Sequence, residues 1–191
     1  EDVGFYSAGQ KIIQLIYVLP AILATSLYPS ISKSVGEKNN EKTKKLMETG
    51  ITTSLMIAIP LVVGGVILAE GLIFFLYRSG YAESILPFQV LLVTALAIFP
   101  AVHLSNYIMV YDIQKKVPII VLISSLVNVA LNAILIPNLG AVGAAIATLI
   151  AQSIFQGLLW SIAKKINNFH TLRHMKKILL ASLIMGGIAF S

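Results

Sequence analysis

The sequence predicts an all-α fold, a polytopic transmembrane helical bundle of about six spans. Three observations carry that expectation. Of the 191 residues, 57% are apolar and only 12% charged, whereas soluble domains run at about 45–50% and about 25%. The mean hydropathy is +0.87. The charges are also bunched, so that long stretches contain none. The net charge of +6 would suit a nucleic-acid binder only if basic residues were spread over a soluble surface, which this bunching excludes. The absence of cysteine rules out a disulfide framework, a thiolate metal site and a cysteine nucleophile.

The spans follow from runs free of Asp, Glu, Lys and Arg. Ile12 to Ser32 is 21 residues, Thr49 to Ala69 is 21 and Ser84 to Tyr111 is 28. A helix needs roughly 20 residues to cross about 30 Å of hydrocarbon, so each run holds one span. They are expected at about 10–31, 50–76 and 85–110. Val117 to Ala163 is a 47-residue run, about 70 Å as one helix and too long for one crossing. Ile136-Pro137-Asn138-Leu139-Gly140 is a turn signal near its middle, dividing it into helices at about 118–136 and 140–163. The last run, Ile178 to Ser191, reaches only 14 residues and reads as a sixth helix, 177–191, truncated by the chain end. With no initiator Met and no signal peptide, residues 1–191 read as a fragment of a longer membrane protein.

Orientation comes from the basic residues. Lys33, Lys38, Lys42, Lys44 and Lys45 lie between the first two helices, Lys115 and Lys116 between the third and fourth, and Lys164, Lys165, Arg173, Lys176 and Lys177 between the fifth and sixth. Twelve of the fourteen basic residues therefore fall on alternate connections, with only Arg78 on the opposite set. The positive-inside rule places the three lysine-bearing loops in the cytoplasm and both chain ends outside. The polar stretch Lys33 to Glu48, in which Glu41 precedes Lys44 and Lys45 by three and four residues, is expected to form an interfacial surface helix.

Pro20, Pro60 and Pro100 fall inside the first three spans, which a membrane helix tolerates where neighbours re-satisfy the freed carbonyls. Gly140/Ala144 and Gly143/Ala147/Ala151 place small residues four apart, allowing close helix packing. Polar residues inside spans are costly in lipid and mark either a cavity or a neighbouring helix. Lys11 and Gln14 share a face of the first helix, His103 and Asn106 a face of the third, and Asn128 and Asn132 a face of the fourth. Glu70 lies near the outer end of the second helix, with Arg78 in the turn beyond. One reading is a hydrated cavity for a polar, anionic substrate; the other is interhelical hydrogen bonding for the asparagines and snorkelling for Lys11 and Glu70. Cationic groups are needed if the substrate carries phosphate charge into a low-dielectric cavity. Lys11 is the first candidate and Arg78 the next, with Gln14, Asn106 and Asn128 as partners for hydroxyl groups. Glu70 and His103 are the titratable candidates for ion coupling. His170 and His174 have metal-ligand spacing, yet no third ligand accompanies them. No catalytic grouping, cofactor motif or metal site is expected, and the chain does not read as an enzyme.

Three stretches resemble the multidrug/oligosaccharidyl-lipid/polysaccharide exporter superfamily, in particular its O-antigen and capsule-type polysaccharide flippases. Gly4-Phe5-Tyr6-Ser7-Ala8 through Lys11-Ile12, then Pro20 and Tyr28-Pro29-Ser30-Ile31-Ser32, looks like that family's eighth helix and cytoplasmic exit. Asn128, Asn132, Ile136-Pro137, Gly140, Gly143-Ala144-Ala145 and Ala147-Thr148 look like its second-lobe helix pair. Ala69-Glu70 through Gly80-Tyr81 is similar to the connection between its ninth and tenth helices. The likeness covers residues 1–165. It implies one lobe of a two-lobe exporter, helices eight to thirteen, whose partner is the missing N-terminal lobe. It further implies alternating access that carries undecaprenyl-pyrophosphate-linked oligosaccharide across a bacterial or archaeal cytoplasmic membrane. A lipid II flippase or a drug/cation antiporter shares the same fold. A membrane glycosyltransferase or polymerase would show an acidic pair or a large outer loop, and the outward turns here are short.

Overall fold

The computed structural model describes residues 2–169. The expected helix at 177–191 and the pair His170/His174 lie outside the described residues. Five α-helices follow one another: α1 Asp2–Ile16, α2 Val18–Gly36, α3 Asn40–Tyr77, α4 Ile85–Val110 and α5 Val117–Ile166. Single 3-10 segments, Ser79–Ser84 and Gln114–Lys116, lead into α4 and α5. Among the described residues, four stretches are long and apolar enough to cross a membrane, namely α1 with α2, α3, α4 and α5, each with its flanking turns.

The first span differs from the expected 10–31. It runs from residue 2 to residue 36 and is interrupted at Tyr17. Pro20 explains the break, because its nitrogen cannot donate to the Ile16 carbonyl and its ring crowds that carbonyl. The polar stretch 33–48 is not a separate surface helix. α2 continues through Gly36, only Glu37 to Asn39 turn the chain, and α3 has already begun at Asn40. Asn39 caps α3 by accepting from the Lys42 backbone N–H at 3.0 Å, a contact typically contributing about 1 kcal/mol. The ion pairs at this corner run from Glu37 to Lys33 at 3.9 Å and to Lys42 at 3.8 Å. With 38 residues, α3 is about 57 Å long, so its charged first turns stand clear of about 30 Å of hydrocarbon.

α5 is one 50-residue element only in name, because Gly140 breaks it with φ 52° and ψ −131°. Val121, Ser124 and Asn128 of the first arm border the same cavity as Phe155, Gln152 and Thr148 of the second. That pairing makes the arms antiparallel. The break falls at the last residue of the expected turn, and the first arm runs three residues past 136, since Pro137 to Leu139 remain helical. At the fold, Gly143 meets the backbone of Leu135 so closely that a Cβ would lie 2.6 Å from its carbonyl oxygen.

α4 occupies the centre and touches α1, α2, α3 and α5. Over half of its most apolar window is buried, against less than a quarter in the other three stretches. Three apolar layers stack along it. Ile13, Ala69, Ile73, Phe88, Leu91 and Ala145 form one end. Ala58, Val62, Ala95 and Phe99 form the middle. Met47, Ile51, Leu104, Tyr107, Leu159 and Phe169 belong to the other end. The outside of the bundle remains apolar, with Leu15, Ile22, Phe75, Leu122, Leu126, Val129 and Ile134 all exposed. A soluble monomer rarely shows such a surface, and a lipid-embedded one requires it. Hydroxyls on the exposed faces return their proton to their own helix, as Thr25 does to the Ala21 carbonyl at 2.7 Å and Ser153 to Leu149 at 2.8 Å. No donor is left facing hydrocarbon by these side chains.

Candidate functional site

One face of α1 is fastened to the bundle. The Tyr6 hydroxyl lies 3.1 Å from the Thr148 hydroxyl on the second arm of α5. Tyr77 at the end of α3 donates to the Ala8 carbonyl at 3.4 Å. Gly9 lets the helix approach α4 so closely that a Cβ would be 3.2 Å from the Phe88 backbone. At the break, Tyr17 and Thr94 are 2.6 Å apart. Thr94 gives its own proton to the Leu91 carbonyl, so Tyr17 is the donor in that pair. These contacts fix the rotation of α1 about its axis. Lys11 and Gln14 are consequently presented on its exposed side, with Lys11 about 14 Å along the helix from its first residue.

The structure does not bring the other candidates to Lys11. His103, expected to face a hydrated cavity, is only 2% exposed and is held between α3 and α4. Its Nε2 lies 2.7 Å from Ser54 Oγ. Gly50 makes room for the ring, since a Cβ there would be 2.9 Å from Nδ1. Burial with an interhelical partner makes this a packing contact, not a substrate-facing group. Asn106 is half-buried on the same helix. Glu70 and Arg78 are exposed on α3 and just beyond it. Arg78 carries φ 64° and ψ −174°, a region essentially confined to glycine.

Asn128 and Asn132 are joined on the first arm of α5, Asn132 Nδ2 donating to Asn128 Oδ1 at 3.0 Å. Asn128 borders a cavity of about 390 Å³ between the arms, together with Ser124, Ser125, Thr148 and Gln152. Ser124 Oγ and Asn132 Oδ1 are buried with no hydrogen-bond partner among the described residues. Sequence reasoning missed Ser124, Ser125 and Gln152. A signal was there: Ser124, Asn128 and Asn132 recur every four residues, as do Thr148, Gln152 and Gln156. Each triplet makes one polar line along an otherwise apolar helix.

Residues 5–190 match the family described as Lipid II flippase MurJ. A solved structure of the lipid II flippase MurJ in an inward closed conformation superposes with a TM-score of 0.85 and 25% identity, covering 98% of this chain and 40% of that one. Among curated proteins of Haloferax volcanii, the probable flippase AglR is 29% identical over 157 residues, which is 80% of this chain and 32% of the relative. The probable low-salt glycan biosynthesis flippase Agl15 is 21% identical over 194 residues, or 98% of this chain and 40% of the relative. The chain thus spans about a third to two fifths of the proteins it matches. The matches are to transporters, multi-pass in the cell membrane, and nothing in them carries the O-antigen or capsule subtype that the motifs suggested. The lipid II flippases, named above as an alternative within the same fold, supply the match. The chain belongs to the Lipid II flippase MurJ family.

Proposed function

We propose that the intact protein moves a saccharide linked to a polyprenyl pyrophosphate from the inner to the outer leaflet. This chain supplies most of one lobe, and the remaining lobe closes the transport cavity against the exposed face of α1. The observation that carries the reading is Lys11, exposed on the free face of α1, the first part of a membrane-length stretch, whose other face is fastened to the bundle. On insertion scales a lysine facing hydrocarbon costs up to about 2.5–3.5 kcal/mol at the centre of a span, and less toward its ends, where Lys11 lies. A water-filled cavity that also holds a pyrophosphate removes that cost. Gln14, on the same exposed side, is placed to bond saccharide hydroxyls, and Asn106 and Asn128 are secondary candidates. Arg78 would meet the charged group at the outer end, and Glu70 is the exposed titratable group of α3 for ion coupling.

The likeness to a glycan biosynthesis flippase favours an oligosaccharide cargo. The family match and the superposed structure support lipid II as the second reading. In either case the lysine-bearing connections face the cytoplasm under the positive-inside rule. Export by the intact protein carrying Lys11→Ala is the direct test. At matched expression, the flipped product should fall at least about tenfold if a desolvated charge pair is lost. Unchanged export would remove Lys11 from the substrate path. Complementation of a strain lacking its lipid II flippase, set beside rescue of a glycan-export mutant, separates the two cargoes.

A further inference from the structure

The last acidic residue of the sequence is Asp112, and seven basic residues follow it. Lys164 and Lys165, exposed in the final turn of α5, therefore have no carboxylate neighbour in their own part of the chain. The fold brings them to the corner between α2 and α3. Asn167 Nδ2 donates to the Asn40 carbonyl at 3.1 Å, joining the end of α5 to the first residue of α3. Just beyond, Phe169 is 1% exposed and packs on Trp160, within the apolar layer that includes Met47 and Ile31. At that corner Lys33, Lys38 and Lys42 are exposed, and Glu37 serves both Lys33 and Lys42. Lys38 stands in the turn itself with φ 53°.

We propose that this junction is a binding site for the headgroup of an acidic phospholipid, formed by Lys38 and Lys42 from one segment and Lys164 and Lys165 from another, with Asn167 as the clasp. The ligand is a lipid because both segments are ends of membrane-length helices. One to two turns deeper, α2 exposes Tyr28, an amphipathic ring suited to the headgroup level. Among the described residues this end carries Lys33, Lys38, Lys42, Lys44, Lys45, Lys164 and Lys165 against Glu37, Glu41 and Glu48, so positive charge is in excess. One glutamate is shared by two lysines, and α5 contributes two positive charges with none opposite in sequence. Lysines in the last turns of α2 and α5 also complement the helix dipoles, but Lys38 and Lys42 lie outside those turns. The inference stands whichever leaflet this end occupies, and it does not depend on the identity of the cargo.

The test is lipid retention by the intact protein in mild detergent, titrated with phosphatidylglycerol and, separately, phosphatidylcholine, and read by native mass spectrometry without substrate lipid. Each basic residue near an anionic surface contributes about fivefold. The unaltered protein should therefore hold phosphatidylglycerol at least about tenfold more tightly than phosphatidylcholine. Lys38→Gln/Lys42→Gln/Lys164→Gln/Lys165→Gln should bring the ratio to within about twofold. Asn167→Ala keeps every charge and should still reduce the preference, which diffuse attraction would not. Lys115→Gln/Lys116→Gln, at the other basic connection, should leave it unchanged. Equal retention of the two lipids by the unaltered protein would overturn the proposal. So would a preserved preference in the quadruple variant or in Asn167→Ala, or its loss in the Lys115/Lys116 variant. Thermal melting of each variant identifies any that fail to fold, and raising the salt, which should abolish the preference of the unaltered protein, tests the electrostatic basis without substitution. A preference that survives high salt would also overturn it.

Discussion

The fold of α5 rests on two glycines that act for different reasons, and replacing each by alanine separates those reasons. At Gly143 the obstacle is steric. The added Cβ would lie 2.6 Å from the Leu135 carbonyl oxygen and 2.7 Å from its carbon, both backbone atoms that cannot rotate away. Restoring an ordinary contact requires the arms to part by roughly 0.7 Å, and overpacking of that kind costs about 1–3 kcal/mol. The separation also loosens Ala145, Ala147 and Ala151, which are buried along the second arm, so a figure near the upper end of that range is expected. At Gly140 the obstacle is conformational. Its φ of 52° and ψ of −131° are barred to a side chain with a Cβ, at a cost of about 1–3 kcal/mol. Gly71 and Gly157 are controls, because a Cβ on either meets nothing within 4 Å. Alanine there should be neutral or stabilising by up to about 1 kcal/mol. The assay is thermal unfolding of the intact protein in detergent, followed by fluorescence-detected size exclusion. The expected order is Gly157→Ala and Gly71→Ala at or above the unaltered protein, with Gly140→Ala and Gly143→Ala several degrees below. A Gly143→Ala protein melting within about 1 °C of Gly157→Ala would refute the close approach of the arms.

Ser54→Ala leaves His103 Nε2 buried without its partner at 2.7 Å and should cost about 1–3 kcal/mol. Ser54→Thr keeps the hydroxyl, and melting temperatures of the two variants measure the difference. Arg78→Gly relieves a backbone region essentially restricted to glycine and should raise stability by about 1 kcal/mol. If export falls in the same variant while its melting temperature rises, the guanidinium acts on substrate and not on folding. Tyr6→Phe and Thr148→Val, alone and together, should show a coupling of about 0.6 kcal/mol, the average for hydrogen bonds between membrane helices. A coupling of zero in that double-mutant cycle would remove the α1–α5 hydrogen bond from the forces that orient Lys11.

How far the sequence revealed the fold depended on where charge happened to mark a boundary. The expected span 85–110 coincides with α4, because Glu83 and Asp112 flank it and mark both of its ends. The hairpin of α5 was visible because Pro137 and Gly140 interrupt a run too long for one crossing. Charge-free runs failed where a helix continues through charge. α1 extends back past Lys11 to Asp2, and α3 begins ten residues before its expected start, at Asn40. A helix emerging from lipid into the headgroup region has no physical reason to stop, so its polar end is invisible to a hydropathy argument. For His103 the sequence leaves two readings open for a different reason. A lone polar residue in an apolar run looks the same whether it meets water or a neighbouring helix, and its partner Ser54 is 49 positions away in sequence.

The polar side chains of the spans sort into groups by where their protons go, and this bears on function more directly than their positions do. Thr25, Ser153 and Ser161 donate to carbonyls of their own helices. Tyr6 and Tyr17 bond between helices to Thr148 and Thr94, whose own protons go to carbonyls of their helices, and Ser54 pairs with His103. Both groups are accounted for by packing, since an unsatisfied donor in hydrocarbon would cost several kcal/mol. Lys11 belongs to neither group. The fastened face of α1 holds it away from the bundle, and shifting it inward would break the Tyr6, Tyr77 and Tyr17 contacts together. A charge that the fold directs outward beside Gln14 either reaches the headgroup region along its own stem or is offset by a group from beyond this chain. Under the proposed function, an anionic group carried between two lobes would supply that offset without any rearrangement of these helices.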